Sequence, residues 1–145
     1  MMQESMETRM TGTKSDEELI PAGAVSFGVL YRHQPNGDQG VCIHVFGNDL
    51  PGHDKELLRF DCFQKEPHYH YRNAAIKKNE RIFLDCTAEG LPLTWTLDKI
   101  KNRLPLMLLR CGAEDVARKV DQREVDAAMP KIIAWAENLT ATHRK

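Results

Sequence analysis

No run of apolar residues in this 145-residue chain approaches the roughly 18 residues that a membrane-spanning helix needs, so no such segment is expected. The first 20 residues are polar and contain no apolar core, so no secretory signal is expected either. Together these absences predict a cytoplasmic protein of bacterial type, without membrane contact.

Neither sign of charge is in excess, because 20 Lys and Arg residues face 21 Asp and Glu residues and the net charge is −1. Proteins that bind nucleic acid or anionic membranes broadly usually carry a strong basic excess. The charge balance therefore argues against nucleic acid as a partner.

The four cysteines include no Cys-x-x-Cys pair, so zinc-finger and thioredoxin-like readings are not supported. Each lies among apolar residues, where a free cysteine acts as a small hydrophobic group, and reduced core thiols are expected. The sequence also contains no Gly-rich phosphate loop, no Gly-x-Ser-x-Gly and no His-Glu-x-x-His. No cofactor is therefore expected, with a divalent metal as the alternative.

Alternating apolar and polar residues predict a series of strands joined by short turns such as Asn36-Gly37. Runs this close in sequence are typical of an antiparallel meander. The five predicted strands are Ala24–Arg32, Gly40–Phe46, Leu57–Phe63, His68–Tyr71 and Arg81–Cys86.

After residue 91 the apolar period changes to that of a helix, with a stripe from Leu97 to Cys111. Thr94 or Thr96 is the expected N-cap, and Gly112 is placed to end the helix. Pro105 should kink this helix or break it in two.

The last segment repeats apolar residues from Val125 to Leu139 with spacings of four and three, and Pro130 should kink this helix or begin it. Over so short a length, a helix lying on the sheet is a better interpretation than a dimerising coiled coil. We therefore expect a flexible tail over residues 1–20 and one α+β domain over residues 21–145. This domain is a five-stranded antiparallel meander followed by two or three helices packed on one face.

The stretch Glu56–Tyr71 holds most of the groups able to bind a ligand or move a proton. His68 and His70 leave one face of a strand, with about 7 Å between their Cα atoms. Two such imidazoles could bind one divalent metal, but a catalytic zinc normally has three protein ligands. Asp61 and His44 are the candidates for the third.

The register of the turn after Phe63 decides whether Asp61 shares that face. A three-residue loop places Asp61 opposite Tyr69, whereas a four-residue loop that includes Pro67 places it opposite His70. Pro67 cannot donate a hydrogen bond to a strand ladder, which favours the longer loop. In this register one face carries Leu57, Arg59, Asp61, Phe63, His68 and His70.

Four cations, Arg72, Lys77, Lys78 and Arg81, follow the histidines and would suit a phosphate-bearing ligand or an RNA backbone. The alternative without a function is a solvated basic loop next to surface histidines that neither bind a ligand nor take part in a reaction. In that case Arg59 and Asp61 form a surface ion pair worth less than about 1 kcal/mol. Alternation aims Tyr69 and Tyr71 away from the histidines and into the core.

Arg59–Phe63, Pro67–Tyr71, Trp95–Leu97 and Leu104–Leu108 resemble the Arg-Phe-Asp-Cys-Phe, Pro-His-Tyr-His-Tyr, Trp-Thr-Leu and Leu-Pro-x-Met-Leu motifs of an uncharacterised bacterial domain family. The resemblance covers residues 22–140 and implies no particular activity. The Pro-His-x-His pattern after a meander is also similar to small toxins of toxin–antitoxin pairs.

Two functions follow from these patterns. The first is a binding or interaction module with a polar His/Asp/Arg site on the sheet, which associates with itself or with a protein partner. The second is an enzyme that binds a metal or a phosphate ligand, in its sharpest form a toxin-like ribonuclease using His68 and His70, with Asp61 and Arg59 beside them. Whether the protein is an enzyme stays open at this point.

Overall fold

A computed structural model describes residues 18–143 of the chain. Its six strands form one antiparallel sheet in which spatial order follows chain order, so the predicted meander is confirmed. The strands are β1 Ile20–Ala22, β2 Val25–His33, β3 Gln39–Gly47, β4 Glu56–Phe63, β5 His68–Asn73 and β6 Lys78–Phe83. The four helices of the described part are α1 Cys86–Glu89, α2 Pro92–Arg110, α3 Glu114–Lys119 and α4 Gln122–His143.

The prediction of five strands was wrong, because β1 adds a sixth at the edge of the sheet. Gly23, with φ at 70°, turns the chain so that β1 pairs back onto the start of β2. Three residues are too few to show alternation, and Pro21 is tolerated because an edge strand has one unpaired side. Ile20, assigned to the tail, is buried in the core, and residues 1–17 of that tail lie outside the described residues.

The last strand lies earlier than the predicted Arg81–Cys86. Lys77 adopts a left-handed conformation with φ at 52°, and the chain turns there directly into β6. Cys86 instead begins α1, where the side chain of Asp85 accepts a hydrogen bond from the backbone N–H of Thr87.

The predicted N-cap of the first long helix was wrong, and so was one of the two alternatives for the last helix, a start at Pro130. Helix α2 begins at Pro92, before Thr94 and Thr96, because the fixed φ of proline suits the first helical position. It continues through Pro105 as one helix and ends before Gly112, whose φ of 77° confirms the predicted stop. Helix α4 begins at Gln122, well before Pro130, which lies inside it.

The helices cover one face of the sheet, as predicted, and we call it the helix face. Helix α2 packs on β4, and α4 packs on β1, β2 and β3. The largest fully buried apolar side chains of this layer come from both sides of the interface: Phe27, Ile43, Leu58 and Phe60 from strands, and Ile100, Leu104, Leu108 and Ile132 from helices. The apolar residues of α4 that repeat with spacings of four and three are buried here, so they pack within the chain rather than in a coiled coil.

The opposite face of the sheet is polar, and we call it the polar face. Its central part is built from alternate residues of the same strands: Cys42 and His44 from β3, Arg59 and Asp61 from β4, and His68 and His70 from β5. Cys42, His44, Asp61 and His70 are buried. No helix within residues 18–143 has the length and apolar character needed to cross a membrane.

Candidate functional site

The hairpin of β4 and β5 brings the predicted acid and both histidines onto one face. Asp61 lies opposite His68, and Arg59 lies opposite His70. The expected pairing of Asp61 with His70 was therefore wrong by two residues. Since side chains alternate with a period of two, this shift leaves Arg59, Asp61, His68 and His70 on their predicted face.

Asp38, in the turn between β2 and β3, sets this register. Its two carboxylate oxygens accept hydrogen bonds from the backbone N–H groups of Lys65 and Glu66, each at 2.8 Å. The same carboxylate accepts from the N–H of Gln39 at 2.9 Å. The turn is thus shaped by a residue distant in the sequence, which local loop rules could not include.

The prediction that Leu57 shares the polar face was wrong. The ladder between β3 and β4 shifts between Val45 and Phe46, which face Leu58 and Glu56 respectively. This bulge gives Leu57 no partner in the ladder, and its side chain joins the apolar core instead. Phe63, by contrast, stays on the polar face, with its ring edge-on to His68.

Asp61 is the centre of the cluster and is only 1% exposed. Its Oδ2 lies 2.9 Å from Nε2 of His68 and 3.4 Å from Nε2 of His70. Its Oδ1 lies 3.4 Å from Nε of Arg59 and 3.8 Å from Nη1 of Arg32. The interpretation of Arg59 and Asp61 as a surface ion pair was therefore wrong, since the carboxylate is buried among two imidazoles and two guanidinium groups.

These neighbours decide the protonation of Asp61. Burial by itself would raise the pKa of the carboxyl, because the charged form loses hydration. The contacts from His68 and His70, with the positive charge of Arg59, outweigh burial and hold this pKa well below its ordinary value. Asp61 is therefore a carboxylate at neutral pH.

Each imidazole is oriented by a hydrogen bond at its other ring nitrogen. Nδ1 of His68 donates to the backbone oxygen of Glu66 at 2.8 Å, and Nδ1 of His70 donates to Oδ1 of Asn79 at 3.1 Å. Because both acceptors are carbonyl oxygens, Nδ1 carries the proton in each ring. Nε2 of each histidine thus points at Asp61, and Nη2 of Arg59 also lies 3.2 Å from Nε2 of His70.

A cavity of about 300 Å³ opens above this cluster, and we call it the polar cavity. Its charged and titratable lining includes Arg32, Arg59, Asp61, His68, His70 and Arg81. Phe83 closes one side, with its ring centroid 5.3 Å from that of His68, and the guanidinium of Arg81 lies over the same ring at 5.0 Å. Asp38 and Glu66 complete the charged lining, so the cavity combines three arginines and three acids with two imidazoles.

Of the four predicted ligand-binding cations, the structure brings only Arg81 to the polar cavity. Arg72 donates instead to the backbone oxygens of His53 and Glu56, at 2.6 and 2.9 Å. Lys77 and Lys78 are exposed at the turn into β6 and are not part of the cavity lining.

The two candidates for a third metal ligand are separated by the structure. The donor atoms of Asp61, His68 and His70 all lie within 4.8 Å of one another. His44 is fully buried elsewhere on the polar face, where its Nδ1 lies 3.1 Å from Oε2 of Glu56. Burial would raise the pKa of Glu56, but the contact with His44 outweighs it and the pKa is lowered.

Sequence reasoning missed Arg32 and Asn79, which reach the cluster from β2 and β6. Each sits in a strand of ordinary alternation, and only the pairing of five strands, β2 to β6, places them beside Asp61 and His70. Alternation assigns Arg32 to the face of β2 opposite to its apolar residues, where an arginine is ordinary, so no signal in the sequence indicated its role.

The four cysteines are free, but their environments differ. Cys42 lies opposite Asp61 at the floor of the cluster, and burial together with the charge of Asp61 raises the pKa of its thiol. Cys86 is exposed, so the expectation that all four are core thiols was wrong for this residue.

A family model described as Domain of unknown function (DUF7700) matches residues 19–136. This match agrees with the expected resemblance to an uncharacterised domain family, while the likeness to toxins stays a prediction. No curated protein and no solved structure matches the chain.

Proposed function

The chain belongs to this family of domains of unknown function, and we propose that it is a ligand-binding domain whose polar cavity takes a small anion bearing a phosphate or carboxylate group. The observation that carries the proposal is the approach of three arginines, Arg32, Arg59 and Arg81, to one cavity that also presents two imidazoles. Binding is the common part of both functions considered from the sequence.

The arginines of the cavity lining support an anion. Asp38 and Glu66 also line the cavity, but Asp38 accepts hydrogen bonds from three backbone N–H groups and Glu66 is exposed. Asp61, the buried acid at the floor, contacts the guanidinium groups of Arg32 and Arg59. Guanidinium groups match phosphate oxygens in pairs, so the arginines of this lining suit an incoming phosphate.

The position of His68 beside the proposed anion site is fixed by aromatic rings. His68 is held between Phe63 and Phe83, with ring centroids at 5.6 and 5.3 Å, so its position does not depend on a ligand. The imidazole is therefore part of the preformed wall of the proposed site.

Phosphate titration of the full chain, treated with a chelator and followed by calorimetry, tests the proposal. We expect saturable binding that Arg59→Gln and Arg81→Gln each weaken by roughly tenfold, since each removes a charge-assisted hydrogen bond. Lys78→Gln is the matched control, because it removes a neighbouring exposed cation outside the cavity. Equal affinity in all four proteins, or no saturable binding, would reject the proposal.

A second candidate, cleavage of RNA, is favoured by the spacing of the two imidazoles. Their ring centroids lie 5.0 Å apart, and Arg59 contacts one of them. An acid and a base on either side of a phosphodiester, with an arginine on its oxygens, would suit this arrangement. We expect wild-type protein to cleave a short RNA and His68→Ala and His70→Ala to lose this activity, and equal rates would remove the candidate.

Association with itself or with a protein partner also stays a prediction. The seam of α4 is buried in the chain, so a second copy or a partner would have to use another surface. Sedimentation at several concentrations checks this, and a single monomeric species would count against self-association.

A further inference from the structure

The contact between His68 and Asp61 contains an electrostatic problem. Nδ1 of His68 already carries the ring proton, so Nε2 of a neutral His68 is an electron pair. That electron pair faces a carboxylate oxygen at 2.9 Å, and the Nε2 atom of His70 faces the same oxygen at 3.4 Å. Acceptors this close repel each other unless a positive species lies between them, either a proton on the ring or a metal ion. At His70, Nη2 of Arg59 already lies 3.2 Å from Nε2, so the problem is sharpest at His68.

The distances from the Asp61 oxygen to the two histidine nitrogens suit a metal ion. Zinc binds imidazole nitrogen and carboxylate oxygen at about 2.0–2.2 Å, so neighbouring ligand atoms of a tetrahedral site lie about 3.3 Å apart. The separations of 2.9 and 3.4 Å between Asp61 and the two histidines bracket this value. Two imidazoles and one carboxylate are also a ligand set used by catalytic zinc, which keeps a fourth position open.

The second layer of contacts has the form that metal-binding histidines require. Such histidines usually donate their other ring N–H to a carbonyl or carboxylate oxygen, which fixes the tautomer and the ring plane. Glu66 supplies a backbone oxygen to His68, and Asn79 supplies an amide oxygen to His70. These contacts come from a turn and from β6, so both rings are fixed by parts of the fold outside their own strand.

Arg59 and Arg32 act against a cation and in favour of an anion. Their guanidinium nitrogens lie 3.4 and 3.8 Å from Oδ1 of Asp61, so two positive charges repel a divalent ion that is bound by this carboxylate. An anion in the open position of the ion would be attracted by the ion and by both arginines. Metal and phosphate should therefore bind together more tightly than either binds alone.

We infer that Asp61, His68 and His70 form a site for one divalent metal ion of the zinc type, whose open position faces the polar cavity and takes the anion. Only the part of this inference that concerns the anion rests on the proposed function. The three ligands and their orienting contacts are independent of it.

Titration of the untagged, chelator-treated full chain with Co²⁺ and with Zn²⁺ tests the inference, with visible absorption reporting the coordination of cobalt and calorimetry the stoichiometry of zinc. We expect one ion per chain and the intense absorption of four-coordinate cobalt. His70→Ala should weaken binding at least about 100-fold, and Asn79→Ala about tenfold through the loss of orientation. His53→Ala, which removes an exposed histidine outside the cluster, is the matched control and should bind as wild type does.

Arg59→Gln provides a variant whose result does not depend on the folding of ligand-deleted proteins. It removes a positive charge beside the ion, so we expect metal affinity to increase roughly tenfold. The same change should weaken phosphate binding, and these opposite signs separate a metal site from a general loss of structure. Unchanged or weaker metal binding in a folded Arg59→Gln protein would overturn the inference.

The two proposals fail in different ways. Phosphate binding that depends on Arg59, in a protein that takes up no cobalt or zinc, would overturn the metal site and leave the anion site standing. One bound metal per chain that His70→Ala abolishes would support the metal site, even if phosphate does not bind.

Discussion

The two faces of the sheet are made from alternate residues of the same strands, yet they are buried by opposite means. Phe60 and Asp61 are neighbours in β4 and are each 1% exposed. Phe60 packs against aromatic rings, with Tyr69 at 6.0 Å and Trp95 at 6.4 Å. Asp61 lies among imidazoles and guanidinium groups.

This difference separates stability from function. Burial of apolar area stabilises a fold without special geometry, whereas buried ionic groups often contribute little net stability after desolvation. Several such groups gathered on one face therefore indicate a role other than holding the chain together. On this account the apolar contacts of the helix face provide most of the stability of the fold. This stability offsets the cost of burying the ionic groups of the polar face.

The largest expected effect is on the helix face. Phe60→Ala should lower the free energy of unfolding by about 3–5 kcal/mol, since it removes a buried ring and leaves a cavity. Urea denaturation followed by circular dichroism measures this change. Phe60→Leu, which keeps most of the volume, should lose less and leave phosphate affinity unchanged. A loss below about 1 kcal/mol for Phe60→Ala would contradict the assignment of stability to this face.

The buried pair of His44 and Glu56 tests how the polar face tolerates deletion. His44→Leu leaves the carboxylate of Glu56 buried without its partner, and we expect a loss of about 3 kcal/mol in unfolding free energy. The double variant His44→Leu/Glu56→Leu removes both groups and should recover most of this loss. If the double variant is less stable than the single one, the pair stabilises the fold and the contrast between the faces is weaker than described.

The pH dependence of stability should carry the signature of Asp61. Its pKa in the folded state lies well below the ordinary value of 3.8, so its contribution is fully present above about pH 4 and is lost as the pH falls towards the folded-state pKa. Asp61→Asn should therefore flatten the fall in stability below pH 4. Urea denaturation at several pH values measures the slope, and parallel curves for wild type and variant would contradict the low pKa.

The smallest effect is expected for the exposed ion pair of Arg110 and Glu80, whose closest atoms are 2.7 Å apart. Solvent screens such a pair, and its long side chains lose freedom on pairing. Arg110→Gln should leave both the urea midpoint and phosphate affinity within experimental error. A clear shift in either would show that the sheet edge near β6 contributes more than its exposure implies.

The alternation of apolar and polar residues was enough to predict the meander and the shared face of the two histidines of β5. Placing Arg59 and Asp61 on that face also needed the argument that Pro67 belongs to the loop, because a one-residue shift of register would have moved both to the other face. The stop at Gly112 came from a different signal, because a positive φ after a helix favours glycine. These features depend on local periodicity and backbone preference, which are determined by residues close together in the sequence.

The features of the site that sequence reasoning got wrong depend on contacts between distant residues. The register of the β4–β5 turn is set by Asp38, and the inward position of Leu57 depends on a bulge against β3. The role of Arg32 could not be assigned without knowing which strands lie beside β4. Local sequence patterns do not contain such information, so the full set of residues in the site could be identified only from the folded structure.

The central claim is that the polar cavity binds a phosphate-type anion beside His68 and His70. The most direct measurement is a phosphate titration of chelator-treated protein, with the imidazole ¹⁵N and ¹H resonances of both histidines followed by NMR. The account predicts that these resonances shift saturably with one common dissociation constant, while those of the exposed His53 stay in place. Resonances of His68 and His70 that do not respond, or that shift no more than those of His53, would contradict it.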